Sequence, residues 1–350
     1  MPERNPSNAI RQVSIMVQAG LIFAYFAGHK LNSMKYFIPA LLFIFLFSGS
    51  CKAGTVKELN NGIAAGKIIS DINKGKAVLI KDKIITGDLD FTNVKNQGIF
   101  SSSIQIAGVE QSVTFLNCIF MGKIVNNSEK SGRQARVRFG SNLTFEACDF
   151  RADADFDNIT VDGMVNFTGA IFRERALFNN VTFNGRHNYF TAFTAEKYFS
   201  MQESLIDGAI DFFKAKTRGK LSFQSTEFRG IARFHNLDCD GRSEFSLTRF
   251  RDDALFTYAN FTGHFNFSDA IVYGRLDMNN VEFQSSATLT SSIFSGPVTF
   301  EKTSVKGVFD ISRSVFYSGK PAMQEFRTLK ADDFVSEGTK FASFNDLNKD

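Results

Sequence analysis

Residues 223–261 read FQSTEFRGIARFHNLDCDGRSEFSLTRFRDDALFTYANF. Apolar residues, most of them phenylalanine, recur in this stretch at alternating intervals of five and six residues, as at Phe223, Phe228 and Phe234. We term these the repeat positions. They keep their phase from Phe190 to Phe316, where 14 of the 24 are Phe although Phe makes up only 41 of the 350 residues. Self-similarity at a fixed period is typical of a repeat architecture.

The spacing predicts the course of the backbone. An amphipathic helix repeats at three and four residues and a strand at two, so neither fits. An interval of five or six suits a short extended side followed by a corner. Small residues such as Ala232 and Ala254 stand two positions before many repeat positions, and residues i and i−2 of an extended segment share a face. Four sides give a coil of about 22 residues, and stacking such coils as parallel strands predicts an all-β solenoid.

Phenylalanine rings are predicted to fill the interior of this solenoid. The absence of Trp fits a narrow interior that accepts one flat ring per side, and burying each ring is worth roughly 2–3 kcal/mol. The predicted structural core comprises Phe145, Phe150, Phe156, Phe167, Phe172, Phe178, Phe183, Phe223, Phe228, Phe234, Phe245, Phe250, Phe256, Phe261, Phe267, Phe283, Phe294, Phe300 and Phe316.

Glycines mark a second regularity. They fall on one 11-residue grid and lie in the six-residue sides. Because glycine reaches positive φ without steric cost, we expect the backbone to turn sharply or bulge at these positions. The grid comprises Gly219, Gly230, Gly241, Gly263, Gly274, Gly296 and Gly307.

Units of the form small–x–aromatic carry a resemblance to a known family. Examples are Cys148-Asp149-Phe150, Thr226-Glu227-Phe228, Ala259-Asn260-Phe261 and Ser292-Ile293-Phe294. They resemble the Phe-centred branch of the pentapeptide-repeat proteins, and the resemblance covers residues 77–318. It implies a right-handed quadrilateral β-helix. The extra residue on every second side departs from the strict five-residue unit of that family.

The ends and two interruptions complete the architecture. Residues 55–76 are predicted to form an N-terminal capping helix, and residues 319–350 a C-terminal cap or tail with a possible helix at 321–334. Residues 125–136 look like an exposed loop. At 184–200 the phase slips by one residue, or by twelve if a half-coil is looped out, and the aromatic residues there form either a packed insertion or an exposed binding patch.

The N-terminal region carries targeting information. Met34-Lys35 precedes an apolar run at 36–47, which is followed by a stretch of mostly small residues at 48–51. This is the pattern of a secretory signal peptide. Residues 34–53 are predicted to be a signal peptide or a lipoprotein signal with Cys51 lipidated, and an uncleaved anchor is the alternative. Residues 1–33 are interpreted as an upstream extension absent from the mature protein. The chain is therefore expected to be exported in a bacterium, to the periplasm, the membrane surface or the exterior.

Charge bears on possible partners. The formal net charge is +4, but residues 1–50 hold four Lys/Arg against one acidic residue, which leaves 36 basic and 35 acidic residues in the remainder. This near-neutral body favours neither a nucleic-acid partner nor an acidic mimic of DNA.

No phosphate loop, nucleophile elbow or metal-ligand pattern is present in the sequence, so neither cofactor nor metal is expected. The three cysteines after Cys51 look like small buried hydrophobes, and the histidines fall at unrelated places in the coil. Asp153, Asp155 and Asp157 alternate outward and indicate either a calcium site or, more simply, a solvated face.

The most regular surface feature is a possible binding stripe of Arg229, Arg251 and Tyr273, which are spaced 22 residues apart and should stack on one face. Arg151 and Arg173 form a similar pair. The stripe fits an anionic partner or a glycan, or is neutralised by neighbouring acids.

These observations favour a non-enzymatic, exported scaffold that binds a protein or another envelope component. Two alternatives stay open: a gyrase-binding DNA mimic of the kind that the family resemblance implies, and a β-helix that binds or cleaves polysaccharide. The first is disfavoured by the charge balance and the export signal, and the second needs clustered acids on one face.

Overall fold

The computed structural model describes residues 61–130 and 132–342. In these residues the chain winds into a four-sided coil, and the strands of successive coils pair in parallel to form four walls. Ala254 pairs with Leu276 and Leu276 with Val298, so a regular coil advances by 22 residues. The all-β solenoid predicted from the repeat positions is confirmed.

The walls are numbered in the order in which the chain visits them from Val78 onward, so walls 1 and 3 face opposite directions, as do walls 2 and 4. Wall 1 comprises Val78–Lys81, Val113–Leu116, Leu143–Glu146, Val165–Asn166, His187–Tyr189, Ala209–Asp211, Ala232–Arg233, Ala254–Leu255, Leu276–Asp277 and Val298–Thr299. Wall 2 comprises Gly62–Ala64, Ile84–Thr86, Ile119–Phe120, Asp149–Phe150, Ile171–Phe172, Thr194–Ala195, Lys216–Thr217, Asp238–Cys239, Asn260–Phe261, Glu282–Phe283, Ser304–Val305 and Arg327–Thr328.

Wall 3 comprises Leu89–Asp90, Ile124–Val125, Ala154–Asp155, Arg175–Leu177, Tyr198–Ser200, Lys220–Ser222, Ser243–Glu244, Phe265–Asn266, Ala287–Thr288, Phe309–Asp310 and Phe334–Val335. Wall 4 comprises Gln97–Ile99, Ile104–Val109, Arg133–Phe139, Thr160–Val161, Thr182–Phe183, Leu205–Ile206, Glu227–Phe228, Arg249–Phe250, Ile271–Val272, Ile293–Phe294, Val315–Phe316 and Lys340–Phe341, with Asn127–Lys130 paired to its side.

Phenylalanine rings stack along the interior. The centroids of Phe212 and Phe234 lie 5.1 Å apart with a 6° interplanar angle, and those of Phe234 and Phe256 lie 4.7 Å apart at 10°. These separations match the ~4.8 Å spacing of paired strands, so each ring sits above its counterpart in the previous coil. All nineteen phenylalanines assigned to the core from the sequence lie inside, and none is more than 1% exposed.

The role expected of the glycine grid is wrong. None of those seven glycines has positive φ; the left-handed conformation recurs instead two residues after every second repeat position, at residues such as Asn236, Leu247 and Tyr258. The glycines are required by close stacking, because a Cβ on Gly219 would lie 1.4 Å from the carbonyl oxygen of Lys197 in the coil below. The backbone of one coil occupies the space that a side chain would need.

A short helix caps the N-terminal end. Helix α1 spans Ala65–Ile72 and buries Ile68, Ile69 and Ile72. It is shorter than the helix expected over 55–76, because residues 62–64 form a strand that pairs with Ile84–Thr86. Residues 55–60 lie outside the described part of the chain.

The helix considered for 321–334 does not form. Phe309 pairs with Phe334 and Phe316 with Phe341, so the chain continues as one more coil of irregular length. The rings of Phe316 and Phe341 stack at 5.4 Å. Aromatic residues at repeat positions keep the chain extended here, since a helix would turn them away from the exposed end of the core.

Residues 125–136 form an ordered element in place of the exposed loop expected from their polar sequence. Asn127–Lys130 pairs antiparallel with Arg133–Phe139, so this segment is a β-hairpin. Gln97–Ile99 likewise pairs antiparallel with Ile104–Val109. Gln97–Ile99 is the last strand at the N-terminal edge of wall 4, whereas Asn127–Lys130 pairs at the side of this wall. Both hairpins lengthen the first coils.

The slip near residue 184 is a single extra residue. Val165 pairs with Asn188, 23 residues later, and Asn188 pairs with Ile210 after the usual 22. The amide of Asn188 donates to the carbonyl oxygen of Gly185 at 3.2 Å and so holds the bulge. Phe190 and Phe199 are buried, whereas Tyr189 is partly exposed on the outer surface. The aromatic residues therefore form a packed segment, with no half-coil looped out.

Candidate interaction surface

Parallel pairing in register aligns outward side chains into columns along the solenoid axis. Residues 22 positions apart occupy equivalent sites, and successive members of a column are separated by the ~4.8 Å strand spacing. The sequence alone identifies such columns once the pairing register is known. The surface is therefore best described column by column.

Arg229, Arg251 and Tyr273 lie in one column, on the corner that follows wall 4, as their spacing predicted. The guanidinium of Arg229 contacts Asp207 at 2.8 Å and Glu227 at 3.1 Å. The guanidinium of Arg251 contacts the same Glu227 at 3.2 Å and lies 4.9 Å from the ring centroid of Tyr273. The stripe is thus a linked array of ion pairs that ends in a cation–π contact.

Electrostatic effects follow from this arrangement. Hydrogen bonds from Arg251 and then Arg229 hold the pKa of the Glu227 carboxyl below its usual value. The same carboxylate raises the pKa of Arg251, whose charge is therefore fixed at any physiological pH. The two arginines are largely neutralised by neighbouring acids, so their own capacity to hold an anionic ligand is reduced.

Arg151 and Arg173 lie on the opposite side of the molecule, on the corner that follows wall 2. Both contact Asp149, at 2.8 and 3.0 Å, and Arg173 also approaches Glu196 at 4.0 Å. The two arginine pairs therefore belong to separate surfaces and cannot bind one ligand together.

The aspartates at 153–157 have different partners. Asp153 pairs with Arg175 at 2.6 Å, and this contact lowers its pKa. Burial raises the pKa of Asp155 from 3.8 to about 6, while its carboxylate accepts the backbone N–H of Asp157 at 2.9 Å. Asp157 in turn accepts the N–H of Asn179 at 2.6 Å. Within residues 61–130 and 132–342, no group of three or more His, Cys, Asp or Glu is placed to hold a metal ion.

Histidines and cysteines are dispersed. Burial lowers the pKa of His235, in the turn after wall 1, and of His264 beside wall 3. The thiols of Cys118, Cys148 and Cys239 are free and buried, as expected from their small inward positions. Burial also raises the pKa of Cys239, which suppresses its reactivity as a thiolate.

Two clefts flank the N-terminal cap. One of about 160 Å³ lies between α1 and residues 76–80, and one of about 180 Å³ lies near Asn96 and Glu110. Both are smaller than the roughly 300–1,000 Å³ of typical small-molecule sites. No helix in the described part of the chain is long and apolar enough to cross a membrane. Cys51 and the segments 1–33 and 34–53 lie outside the described residues, so their assignments stay predictions.

Sequence reasoning missed one column on wall 4. Arg249, Ile271, Ile293, Val315 and Lys340 pair one with the next, and all project outward. Three aliphatic residues in succession occupy outward sites that elsewhere hold mostly polar or charged residues, and Ile293 is 36% exposed. The sequence carries this signal as an aliphatic residue directly before three successive repeat positions of wall 4, at Ile271, Ile293 and Val315.

Four parallel sheets of very short strands, closed around stacked inward side chains, define a four-sided β-helix, a class of repeat protein that offers long flat walls. Residues 136–191 match the family model described as pentapeptide repeats (9 copies). The same coil continues on both sides of that segment, so the family match and the β-solenoid together support a pentapeptide-repeat protein. No curated protein and no solved structure matches it significantly.

Proposed function

We propose that this protein is an exported, non-catalytic scaffold of the bacterial cell envelope that presents its flat walls to a protein partner. The single observation that carries the proposal is the uninterrupted solenoid, in which polar side chains pair with one another along the walls and do not converge on a cavity. Pentapeptide-repeat proteins are generally non-enzymatic, which agrees with this reading. Export rests on the apolar run at 36–47 and the mostly small residues at 48–51.

Neither alternative function gains support from the surface. A DNA mimic needs walls of uncompensated carboxylates, whereas Asp149, Asp153 and Glu227 are each held by arginine. A polysaccharide lyase needs acids and cations converging on a groove, and the clefts described above lie beside the cap.

The test is the location and mature mass of the full chain expressed with a C-terminal tag in a bacterial host. We expect the protein in the envelope or medium fraction, with an N-terminus between residues 48 and 54. Replacing Cys51 with Ala should abolish any lipid mass and leave plain cleavage intact. An unprocessed chain confined to the cytoplasm would overturn the export part of the proposal.

A further inference from the structure

The column on wall 4 that runs from Arg249 to Lys340 differs from its neighbours in both polarity and charge. Ile271, Ile293 and Val315 form an uninterrupted aliphatic centre, which we name the apolar column. Tyr273 and Tyr317 lie two coils apart on the adjoining corner and widen this surface. Exposed contiguous apolar surface on a soluble domain marks an interaction site more often than chance placement does.

Cations stand at both ends of the apolar column. Arg249 is exposed and makes no ion pair within the described part of the chain, and Arg251 lies beside it. At the other end Lys340 is exposed, and the ammonium of Lys320 lies 5.8 Å from the ring centroid of Phe341. The two ends, Arg249 and Lys340, are four strand spacings apart, about 19 Å.

Acidic groups near this surface do not reverse its positive charge. Glu227 is already shared by Arg229 and Arg251, and Asp269 and Glu337 lie on the corner that precedes wall 4. On the corner that follows wall 4, Asp252 is adjacent to Arg251 and Asp253 is paired with Arg275. The strands themselves carry only cations and aliphatic residues outward from Arg249 to Lys340.

This charge pattern disfavours a second copy of the same chain. Two such walls can meet face to face about a two-fold axis that lies in the interface. An axis perpendicular to the column would place Arg249 of one copy against Lys340 of the other, and an axis along the column would place Arg249 against Arg249. Both arrangements bring like charges together.

We propose that the apolar column of wall 4 docks an apolar segment of another protein that carries a carboxylate at each end, matched to Arg249 and Lys340. The inference rests on the proposed scaffold function and names the chemistry of its partner. Burial of Ile293 and its two neighbours supplies contact area, and the flanking ion pairs fix the register of the bound segment.

The experiment uses the full chain and a library of displayed random peptides. Peptides selected on the native protein are counter-selected on Ile293→Lys, which removes the apolar centre without touching the core. Thr182→Lys is the matched control, because Thr182 holds the equivalent outward site of wall 4 five coils away. Circular dichroism confirms that both variants are folded.

We expect the selected peptides to have an apolar centre flanked by Asp or Glu. Measured by fluorescence anisotropy, Ile293→Lys should lower the affinity of the protein for the best peptide by about tenfold or more, because one central contact is lost. Thr182→Lys should leave this affinity unchanged. The double reversal Arg249→Glu with Lys340→Glu should abolish binding of that peptide and restore binding of a version with Lys in place of its acids.

Several results would overturn the inference. These are a library that yields no enriched peptide, peptides that lack flanking acids, equal binding to both variants, or a dimer in ultracentrifugation that Ile293→Lys dissociates. Binding to anionic vesicles that the same substitution removes would assign the surface to a membrane. Failure here leaves the localisation result intact, so the docking site and the export of the protein are tested separately.

Discussion

Buried phenylalanines in the central coils contact rings of their own coil and of adjacent coils. The ring of Phe256 stacks on Phe234 at 4.7 Å and meets Phe245 edge-on at 5.3 Å. The inward column on this side is continuous from Phe115 through Phe145 and onward. Removing one ring therefore opens a void that the rigid coils on both sides cannot fill.

Phe256→Ala should lower the free energy of unfolding by about 3–5 kcal/mol, since the buried ring is lost and a cavity remains. Urea denaturation monitored by circular dichroism measures the loss. Arg251→Ala, on the outer surface, is the control and should leave the midpoint nearly unchanged. Equal losses in the two variants would mean that inside and outside have been assigned wrongly.

Asp155 gives a residue-scale prediction for pH. Its pKa is raised from 3.8 to about 6 by burial, so the folded state holds its proton more tightly than the unfolded state does. The associated stability is fully present below pH 4 and is lost as pH rises through about 6. Asp155→Asn should therefore stabilise the protein at pH 7, by about 1–2 kcal/mol once solvent screening of this partly exposed group is allowed for, and have little effect below pH 4.

Denaturant melts between pH 4 and pH 8 test this sign. Asp153→Asn is the matched control, because pairing with Arg175 lowers the pKa of Asp153. The contribution of Asp153 to the free energy of unfolding therefore has the opposite dependence on pH. If both variants lost stability alike at pH 7, burial would not be the dominant influence on Asp155.

At the scale of the element, each coil is held to the next by backbone hydrogen bonds and by close approach at the corners. A Cβ on Gly241 would lie 2.3 Å from the carbonyl oxygen of Gly219, and one on Gly263 would lie 2.4 Å from that of Gly241. Glycine is thus stacked on glycine along one corner. The close approach of successive coils at this corner restricts the choice of residue as tightly as the aromatic interior does.

Gly219→Ala should destabilise the solenoid by about 1–3 kcal/mol or more, because the new methyl group overlaps the carbonyl oxygen of Lys197 and the two coils must separate. Gly66→Ala is the control. Gly66 lies in helix α1 with no atom within 4 Å of the added Cβ, so alanine should raise stability by about 0.5–1 kcal/mol. Thermal melts of the two variants should shift in opposite directions, and a loss in both would contradict the stacking argument.

At the scale of the whole molecule, the solenoid has one interior but two unequal ends. Helix α1 buries Ile68 and Ile72 over the N-terminal coil, whereas Phe341 at the other end of the described residues is 40% exposed. Stability in such an array is a sum of coil and interface contributions, and the last coil has a described neighbour on one side.

Native-state hydrogen exchange should therefore be graded along the axis. Amides of residues 322–342 should exchange through local fraying, while those of the central coils around Phe223 to Phe267 should exchange only with global unfolding. Mass spectrometry of exchanged peptides measures the gradient. Uniform protection along the chain would show that something covers the last coil.

The sequence by itself determined the interior of this protein. Phenylalanine at alternating intervals of five and six residues admits only a short-sided coil, because each ring must reach one shared axis and no helix or long strand places it there. The coil length, the walls and the inward position of Phe256 follow from that spacing. The small–x–Phe units likewise indicated the family from which the match at residues 136–191 comes.

Tertiary structure alone decided which surfaces meet and where the backbone is crowded. The sequence does not reveal why the grid positions hold glycine, because a clash with the next coil and a positive φ both favour this residue. Only the stacking of Gly219 on Lys197 shows that the clash is the reason here. The hairpin at 127–139 could not be predicted from its polar sequence, because its second strand is held by pairing with Ile104–Val109 in the preceding coil of the same wall. The arginine stripe was found by spacing, but its neutralisation by Glu227 depends on side-chain contacts between coils, which periodicity does not encode.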